Sequence, residues 1–207
     1  IEKKSEIQHV KINDGHEYEI KVKNILYTCK HCIFAIPKPS LEKFKIFKPI
    51  GNKLSSIKIK PLCRIYAQFK EKGLWINDIE KTTTNNENRY IIPINRKIGL
   101  SMISYSDGKF ARFWNSLSKN SMVKQIRENI FKTFGEKIPV PNYIKKCYWD
   151  IGTAYWLPNY DSTTLIPEIM KPFDNEHIYI CGENYSKSQG WIEGALETSN
   201  SIVYLIK

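Results

Sequence analysis

The sequence lacks a long hydrophobic run. A helix that crosses a lipid bilayer needs about 20 predominantly apolar residues in succession, and no segment of the 207 residues approaches that length. The first residues, Ile1 to Lys4, are not followed by the apolar region of a secretory signal peptide. We therefore expect no membrane span, and the pattern is that of a cytoplasmic protein more than of a secreted one.

Cysteines are few, odd in number and widely spaced. A chain of this size does not need disulfide bonds to stabilise its core, so reduced thiols are expected. Cys29 and Cys32 form a C-x-x-C pair around His31, but no second pair of cysteines or histidines follows to complete a zinc site. We expect no bound metal. The five cysteines are Cys29, Cys32, Cys63, Cys147 and Cys181.

A focused basic patch is also missing. The sequence has 32 Lys and Arg against 21 Asp and Glu, a net charge of +11, which favours anionic partners in general. The lysines are, however, spread from Lys3 to Lys207 without a dense cluster. A solvated basic surface is the preferred interpretation, and nucleic-acid binding is not expected.

The first part of the chain has the alternating polarity of β-strands. The runs from Ile7 to Ile12 and from Tyr18 to Val22 flank the turn Asn13-Asp14-Gly15, which predicts a β-hairpin. The apolar run from Cys32 to Ile36 ends at Pro37, which predicts a buried strand. Further strands are predicted at 61–70, 89–94, 99–105 and 143–149.

Two segments have helical periodicity. Met122, Val123, Ile126, Ile130 and Phe134 recur at helical spacing, with Ser118, Asn120 or Ser121 as the N-cap and Gly135 as the C-terminal stop. Asp107 is a second candidate N-cap, for a short helix that reaches Trp114. These elements predict an α+β fold in which helices flank a mixed, mostly antiparallel sheet.

The C-terminal region pairs an apolar strand, Ile178 to Cys181, with a helix that begins after Gly190. Glycines let the backbone approach another group closely, and a helix N-terminus offers N–H groups and partial positive charge. Such a site binds an anion or a polarised carbonyl. The predicted buried face of this helix comprises Ile192, Ala195, Leu196, Ser199, Ile202, Val203 and Ile206.

The residues of this region resemble a known signature. Ile178-Tyr-Ile-Cys-Gly-Glu183 followed by Gln189-Gly-Trp-Ile-Glu-Gly-Ala-Leu196 is similar to the C-terminal motif of flavin-containing amine oxidoreductases. The resemblance implies that the strand and helix belong to an FAD-binding domain and that Trp191 is an aromatic wall of the substrate cavity. The cofactor contacts that it implies are Gly182, Glu183, Gly190, Trp191, Ile192 and Glu193.

Three further segments resemble the same family in order and spacing. They are Ile33-Phe-Ala-Ile-Pro37, Leu62-Cys-Arg-Ile-Tyr-Ala-Gln-Phe69 with Trp75 after it, and Trp149-Asp-Ile-Gly-Thr-Ala-Tyr-Trp-Leu-Pro158. The resemblance implies strands leading out of the FAD-binding domain over 1–36, a substrate domain over 37–150 and an FAD-contact segment over 151–207. The combination is most similar to amine-oxidase-like proteins of large DNA viruses and protists.

Two positions depart from the family pattern. Arg64 stands where catalytic members usually have a lysine that holds a water against the flavin, and an arginine stays charged and cannot act as a base. Thr153 stands where an aromatic cage residue is expected, with Tyr155 and Trp156 beside it. The resemblance therefore implies Arg64, Trp191 and Tyr155 as catalytic residues. Thr153, Trp156 and Tyr66 are the implied substrate-cavity residues.

The dinucleotide-binding fingerprint G-x-G-x-x-G is absent from the sequence. Ile1 is not an initiator methionine and leads directly into strand-like sequence. We therefore expect that a half carrying the fingerprint is supplied by the same chain or by a partner, or else that the chain is a remnant that no longer binds flavin. The predicted function is FAD-dependent oxidation of a small-molecule amine, with hydride transfer from a carbon next to nitrogen. The alternative is a non-catalytic structural or binding module that retains the fold.

Overall fold

The computed structural model describes residues 2–13, 15, 17–69, 79–135 and 137–206. Asp14, Lys70 and Trp75, which entered the sequence predictions, lie outside these residues. The strands within the described residues are β1 Ile7–Ile12, β2 Tyr18–Val22, β3 Ile25–Cys29, β4 Cys32–Phe34, β5 Ile57–Gln68, β6 Thr82–Thr83, β7 Tyr90–Asn95, β8 Leu100–Asp107, β9 Tyr143–Trp156 and β10 Ile178–Ile180. The α-helices there are α1 Lys38–Leu41, α2 Gly51–Leu54, α3 Gly108–Ser116, α4 Lys119–Phe134, α5 Ser162–Met170 and α6 Ile192–Ile206.

The chain divides into two compact units. The first contains the residues up to 59 together with those from 153 onwards, and the second contains residues 60–152. The chain passes from one unit to the other within β5 and again within β9. The second crossing lies close to the predicted limit at 150, whereas the first comes well after the predicted limit at 36. The assignment of these regions to flavin and substrate binding stays a prediction.

The first unit contains the predicted hairpin. Strands β1 and β2 pair antiparallel and β3 continues the sheet. The turn is stabilised by the Asn13 side chain, whose Oδ1 accepts the backbone N–H groups of Gly15 and Glu17, both at 3.0 Å. Asparagine mimics a backbone turn in this way, so the hairpin follows from local sequence alone and the prediction is confirmed.

A second small sheet in this unit is parallel. It consists of β4 and β10, which pair from Cys32 with Ile178 to Phe34 with Ile180. All three residues of β10 are buried, but Ile33 in β4 is 50% exposed. The expectation that the whole run from Cys32 is buried is therefore wrong at Ile33 and Ala35, because only one face of this short strand packs on the core. That core includes Tyr18, Phe34, Leu41, Phe47, Leu54, Ile57, Ile178, Ile180 and Tyr185.

The second unit is built on a five-stranded sheet of the described residues, in the order β6-β7-β8-β5-β9. The pairs β6 with β7, β7 with β8 and β8 with β5 are antiparallel, which agrees with the predicted fold class. Cys63, Ile65 and Ala67 of β5 face a core formed with α3 and α4. Arg64 and Tyr66 point to the opposite, half-buried face, as the alternating pattern predicts.

Helix α4 has the predicted ends. The Ser118 hydroxyl accepts the backbone N–H of Ser121 at 3.2 Å, and Gly135 adopts a left-handed conformation with φ of 73°. Both features satisfy backbone groups that a helix terminus leaves unpaired. Asp107 occupies the N-cap position of α3, but its side chain makes no capping bond. Helix α5 was not predicted; it begins after Asp161, whose carboxylate accepts the N–H of Thr163 at 2.9 Å.

The predicted buried face of α6 is right at Ile202 and wrong at most of its other residues. Its buried residues are Gly194, Thr198 and Ile202, whereas Ile192 and Leu196 are exposed. Helical periodicity identified the most apolar face and assumed that this chain covers it. The helix packs through three residues spaced four positions apart, and the first two, Gly194 and Thr198, are small enough to allow a close approach. Val203 is also exposed, along with Ser199.

The buried Cys63 thiol should make the stability of the second unit depend on pH. Burial raises the pKa of its thiol from 9.0 to about 11, against a smaller lowering by Lys146. A pKa raised by folding stabilises the native state below pH 9, and this contribution disappears as the pH rises towards 11. We expect the urea midpoint of the wild-type protein to fall more steeply across that interval than the midpoint of Cys63→Ala. Parallel curves for the two proteins would show that Cys63 is not the titrating group.

Candidate functional site

Gly182 forms the turn after β10. Its φ of 135° and ψ of 164° lie in a region that essentially only glycine adopts. The N–H of Gly182 donates to the Thr198 hydroxyl at 3.0 Å, and that hydroxyl lies 3.0 Å from the carbonyl oxygen of Gly194. Because Thr198 is buried in α6, these bonds tie the strand end to the middle of the helix.

The loop from Glu183 to Gly190 is closed by the Glu183 carboxylate. Its Oε2 accepts the backbone N–H of Gly190 at 2.7 Å, and its Oε1 accepts a hydrogen bond from the Asn184 side-chain amide. The Gln189 side chain donates to the Asn184 carbonyl oxygen at 2.6 Å. A single charged group therefore joins the two ends of the loop, through hydrogen bonds of the stronger, charge-assisted kind.

The start of the loop is anchored in the core of the same unit. The Asn184 Oδ1 accepts the backbone N–H of Lys38 at 2.9 Å, and the Tyr185 hydroxyl donates to the carbonyl oxygen of Ile36 at 3.0 Å. Tyr185 is fully buried, and burial raises the pKa of its phenol well above the ordinary value. These anchors connect the loop to the segment that follows β4.

Helix α6 lies directly against this loop. A Cβ added at Gly194 would overlap the Ser186 hydroxyl and the Ser188 carbonyl oxygen. Only glycine permits this separation between helix and loop. The predicted signature residues Gly182, Glu183, Gly190 and Gly194 are thus brought together in one substructure.

The beginning of α6 is exposed. The exposed fractions of Trp191 and Ile192 are 69% and 71%, so an aromatic side chain and the N-terminal turn of a helix are presented together on the surface of this unit. Glu193 lies in the first turn, where its negative charge offsets part of the helix dipole. The site therefore suits a polar, uncharged carbonyl better than a bare anion.

Three predicted site residues lie at the end of β9: the cavity residues Thr153 and Trp156 and the catalytic candidate Tyr155. Strand alternation places Thr153 and Tyr155 on one face and Trp156 on the other. The Thr153 hydroxyl lies against Gly190, where an added Cβ would come within 2.9 Å of it. Trp156 packs against two core clusters of this unit, and its indole N–H donates to the Ser186 carbonyl oxygen at 2.8 Å.

Arg64 and Tyr66 belong to the second unit, in the half-buried face of β5. The Arg64 guanidinium lies over the Tyr105 ring, with 4.8 Å from Cζ to the ring centroid. Burial by itself would lower the pKa of Arg64, but the hydroxyl groups of Tyr105 and Tyr66 raise it above the ordinary value. A group held protonated in this way supplies positive charge and cannot accept a proton.

Lys60 is the lysine nearest to Arg64 whose side chain strand alternation places on the same face of β5. Its ammonium group lies 3.8 Å from the Asp107 carboxylate. Its ammonium group is therefore engaged by an acid of the same unit.

Sequence reasoning missed Asn184, Thr198 and Tyr105. A polar residue directly after the Gly-Glu turn and a threonine four residues after Gly194 were visible signals for the first two. Tyr105 was recognised only as a strand residue, because its position opposite Arg64 depends on the register of β5 and β8.

The sequence model of the family described as flavin containing amine oxidoreductase matches residues 1–203. The chain belongs to this family. Membership implies an oxidoreductase fold that uses a flavin, and it agrees with the resemblance found in the C-terminal signature. The match extends over both units, including all the predicted site residues.

The chain is also similar to one viral protein in sequence and to one bacterial protein in structure. An uncharacterized protein of Acanthamoeba polyphaga mimivirus is 30% identical over 98 residues, which cover 45% of this chain and 19% of that protein. The crystal structure of a protein described as a protoporphyrinogen oxidase, from Exiguobacterium sp. 255-15, superposes with a TM-score of 0.77 at 11% identity. That superposition covers 98% of this chain and 46% of the other, so it shows the fold. The chain spans less than half the length of either relative.

The residues of the first unit fit part of a flavin site. Gly182 has no side chain, and the start of α6 presents an exposed aromatic side chain, as close contact with a flat cofactor requires. The residues predicted to contact the cofactor remain Gly182, Glu183, Gly190, Trp191, Ile192 and Glu193. Within the described part of the chain, no group of three or more His, Cys, Asp or Glu is placed to hold a metal ion.

No helix among the described residues combines the length and the apolar character that a membrane crossing requires.

Proposed function

We propose that this chain is the substrate-binding and flavin-contact part of an FAD-dependent oxidase that acts on a C–N bond. The observation that supports this most directly is the arrangement of Gly182, the Glu183-closed loop and the exposed start of α6 in a chain of the flavin-containing family. When bound, FAD accepts a hydride from the carbon next to the nitrogen, and water hydrolyses the resulting imine. The redox chemistry is the cofactor's own, and the protein provides position and electrostatics.

Each group of residues has a distinct role in this proposal. Because Gly182 and Gly190 have no side chains, they would let the cofactor approach the backbone closely, and the first turn of α6, at Ile192 and Glu193, would offer N–H groups to a flavin carbonyl. Trp191 and Tyr155 form the walls against which the amine substrate lies. Aromatic walls of this kind attract a cationic amine through the faces of their rings.

Glu183 acts chiefly through the loop. Both of its carboxylate oxygens bind groups between Asn184 and Gly190. It therefore holds the cofactor contacts in place as a positioning residue.

The proposal requires a dinucleotide-binding half, in the same chain or in a partner. Two features of the first unit support it. The described residues of β4 and β10 form a parallel pair without a third strand, although parallel sheets are normally covered on both faces. In addition, α6 exposes Ile192, Leu196, Val203 and Leu205. Added strands and their helices would complete the sheet and cover this apolar face.

A non-catalytic module is the second candidate function, and Arg64 is the observation that favours it. Catalytic members of the resembling family usually carry a lysine at this place, and an arginine whose pKa is raised offers no base. In that case the fold would serve for binding alone.

The experiment that separates these two functions is anaerobic reduction. The protein, together with a polypeptide that supplies the dinucleotide-binding half, is loaded with FAD and mixed with a panel of monoamines and polyamines. We expect at least one amine to bleach the visible absorbance of the oxidised flavin, and oxygen to restore it. Retention of FAD without bleaching by any amine would select the binding module, and a folded protein that takes up no FAD would reject the proposed cofactor.

A further inference from the structure

Arg64 is a partly buried cation without an acidic partner. Among the residues that the structure describes, it forms no ion pair, and its Nε is buried without a hydrogen-bond acceptor. Asp107, two residues beyond Tyr105 on β8, lies instead beside the Lys60 ammonium group. A buried donor that is left unpaired costs about 1–3 kcal/mol. A residue kept in this state is a candidate for binding a group that the structure does not contain.

The surroundings of Arg64 orient its guanidinium group. Arg64 lies opposite Tyr105 in the β5–β8 ladder and stacks over its ring, while Tyr66 lies two residues further along β5 on the same face. The N–H donors of a guanidinium group lie in one plane and form a fork. That fork suits two parallel hydrogen bonds to a planar carboxylate.

The sheet face next to Arg64 is aromatic. The rings of Tyr105 and Tyr90 are 6.0 Å apart, and the Lys81 ammonium lies 6.0 Å from the centroid of the Tyr90 ring. Met102 pairs with Tyr66 on the same face. This surface offers flat apolar contacts beside one fixed positive charge and a second positive charge further along.

We propose that this face of the second unit binds the carboxylate of a flat, apolar small molecule through Arg64, with Tyr105 and Tyr90 beside its apolar part. A simple amine without an anionic group leaves the Arg64 Nε unpaired and is the poorer ligand.

Binding of benzoate, followed by isothermal titration calorimetry, tests the site without any flavin. We expect benzoate to bind more tightly than benzamide, which has the same shape without the charge. Arg64→Gln is expected to weaken benzoate binding at least about tenfold, since a charge-assisted pair is lost. Arg64→Lys is expected to weaken it less, because a lysine keeps the charge without the two-pronged geometry.

Lys124→Gln is the matched control, because it removes a positive charge from an exposed position of α4 in the same unit. It is expected to leave benzoate affinity unchanged. Equal benzoate affinity of wild type and Arg64→Gln would overturn the inference, as would equal affinity for benzoate and benzamide. Far-ultraviolet circular dichroism of each variant shows whether a loss of binding is a loss of folding, and Arg64→Lys provides a second variant if Arg64→Gln does not fold.

Discussion

Gly194→Ala is expected to destabilise the protein by about 3 kcal/mol, at the upper end of the cost of overpacking. An added Cβ would overlap the Ser186 hydroxyl and the Ser188 carbonyl oxygen. The serine side chain can rotate away, but the carbonyl oxygen belongs to the backbone and moves only with the loop. The loss exceeds the gain of about 0.5–1 kcal/mol that alanine normally brings to a helix in place of glycine. Urea denaturation measures the change in the free energy of unfolding.

Gly51→Ala is the matched control for this substitution. Gly51 begins α2 with a helical φ of −57°, and a Cβ added there would meet no atom within 4 Å. The Gly51→Ala protein is expected to be slightly more stable than the wild type. Alanine restricts the unfolded chain, and its side chain meets no obstacle in the native state. The two glycine substitutions thus have opposite signs. A Gly194→Ala protein as stable as Gly51→Ala would show that α6 does not lie against the loop.

Glu183→Ala is expected to open the loop from Glu183 to Gly190 and to reduce stability by about 2 kcal/mol, the scale of hydrogen bonds to a charged group. Without the carboxylate, the Gly190 N–H and the Asn184 amide both lose their acceptor. Lys187 lies exposed within this loop, so trypsin should cleave after Lys187 faster in the variant than in the wild-type protein. Mass spectrometry of the fragments identifies the bond that is cut.

Glu183→Gln should give an intermediate result. The Asn184 Oδ1 is occupied by the Lys38 N–H, so the Asn184 amide must point its NH₂ group towards position 183. A glutamine there has one oxygen acceptor and one amide donor, and it can satisfy only one of the two groups that the carboxylate satisfies. Glu197→Ala, at an exposed position of α6, is the control and should leave trypsin cleavage unchanged. If Glu183→Ala resists trypsin as well as this control does, the carboxylate does not close the loop.

The accuracy of the sequence predictions depended on the range of the interactions involved. The hairpin of β1 and β2 and the caps of α4 were predicted because each is decided by residues a few positions apart, such as Asn13 with Glu17 or Ser118 with Ser121. Helix α5 was missed although Asp161 caps it locally, since Pro167 within the helix hid its periodicity.

The features of the candidate site also differ in whether they depend on neighbouring or on distant residues. The strand, the Gly-Glu turn and the glycine-opened helix were recognisable because they are consecutive in the chain. The partners of Glu183 within the loop, the Thr198 bond to Gly182 and the stacking of Arg64 on Tyr105 were not predicted. Each of these depends on how a loop closes, on which side of α6 packs inward, or on the register of two strands.

The amino-acid sequence by itself determined the alternation of β5, the ends of α4 and the glycine pattern by which the family was recognised, because these are properties of neighbouring residues and backbone conformations. Only the tertiary structure decided that α6 packs through Gly194 and Thr198 as well as Ile202 and that Ile192, Leu196 and Val203 stay exposed. Periodicity identifies an apolar face of a helix, but the surface that covers that face is supplied by segments distant in sequence, so burial follows from the packing of the whole.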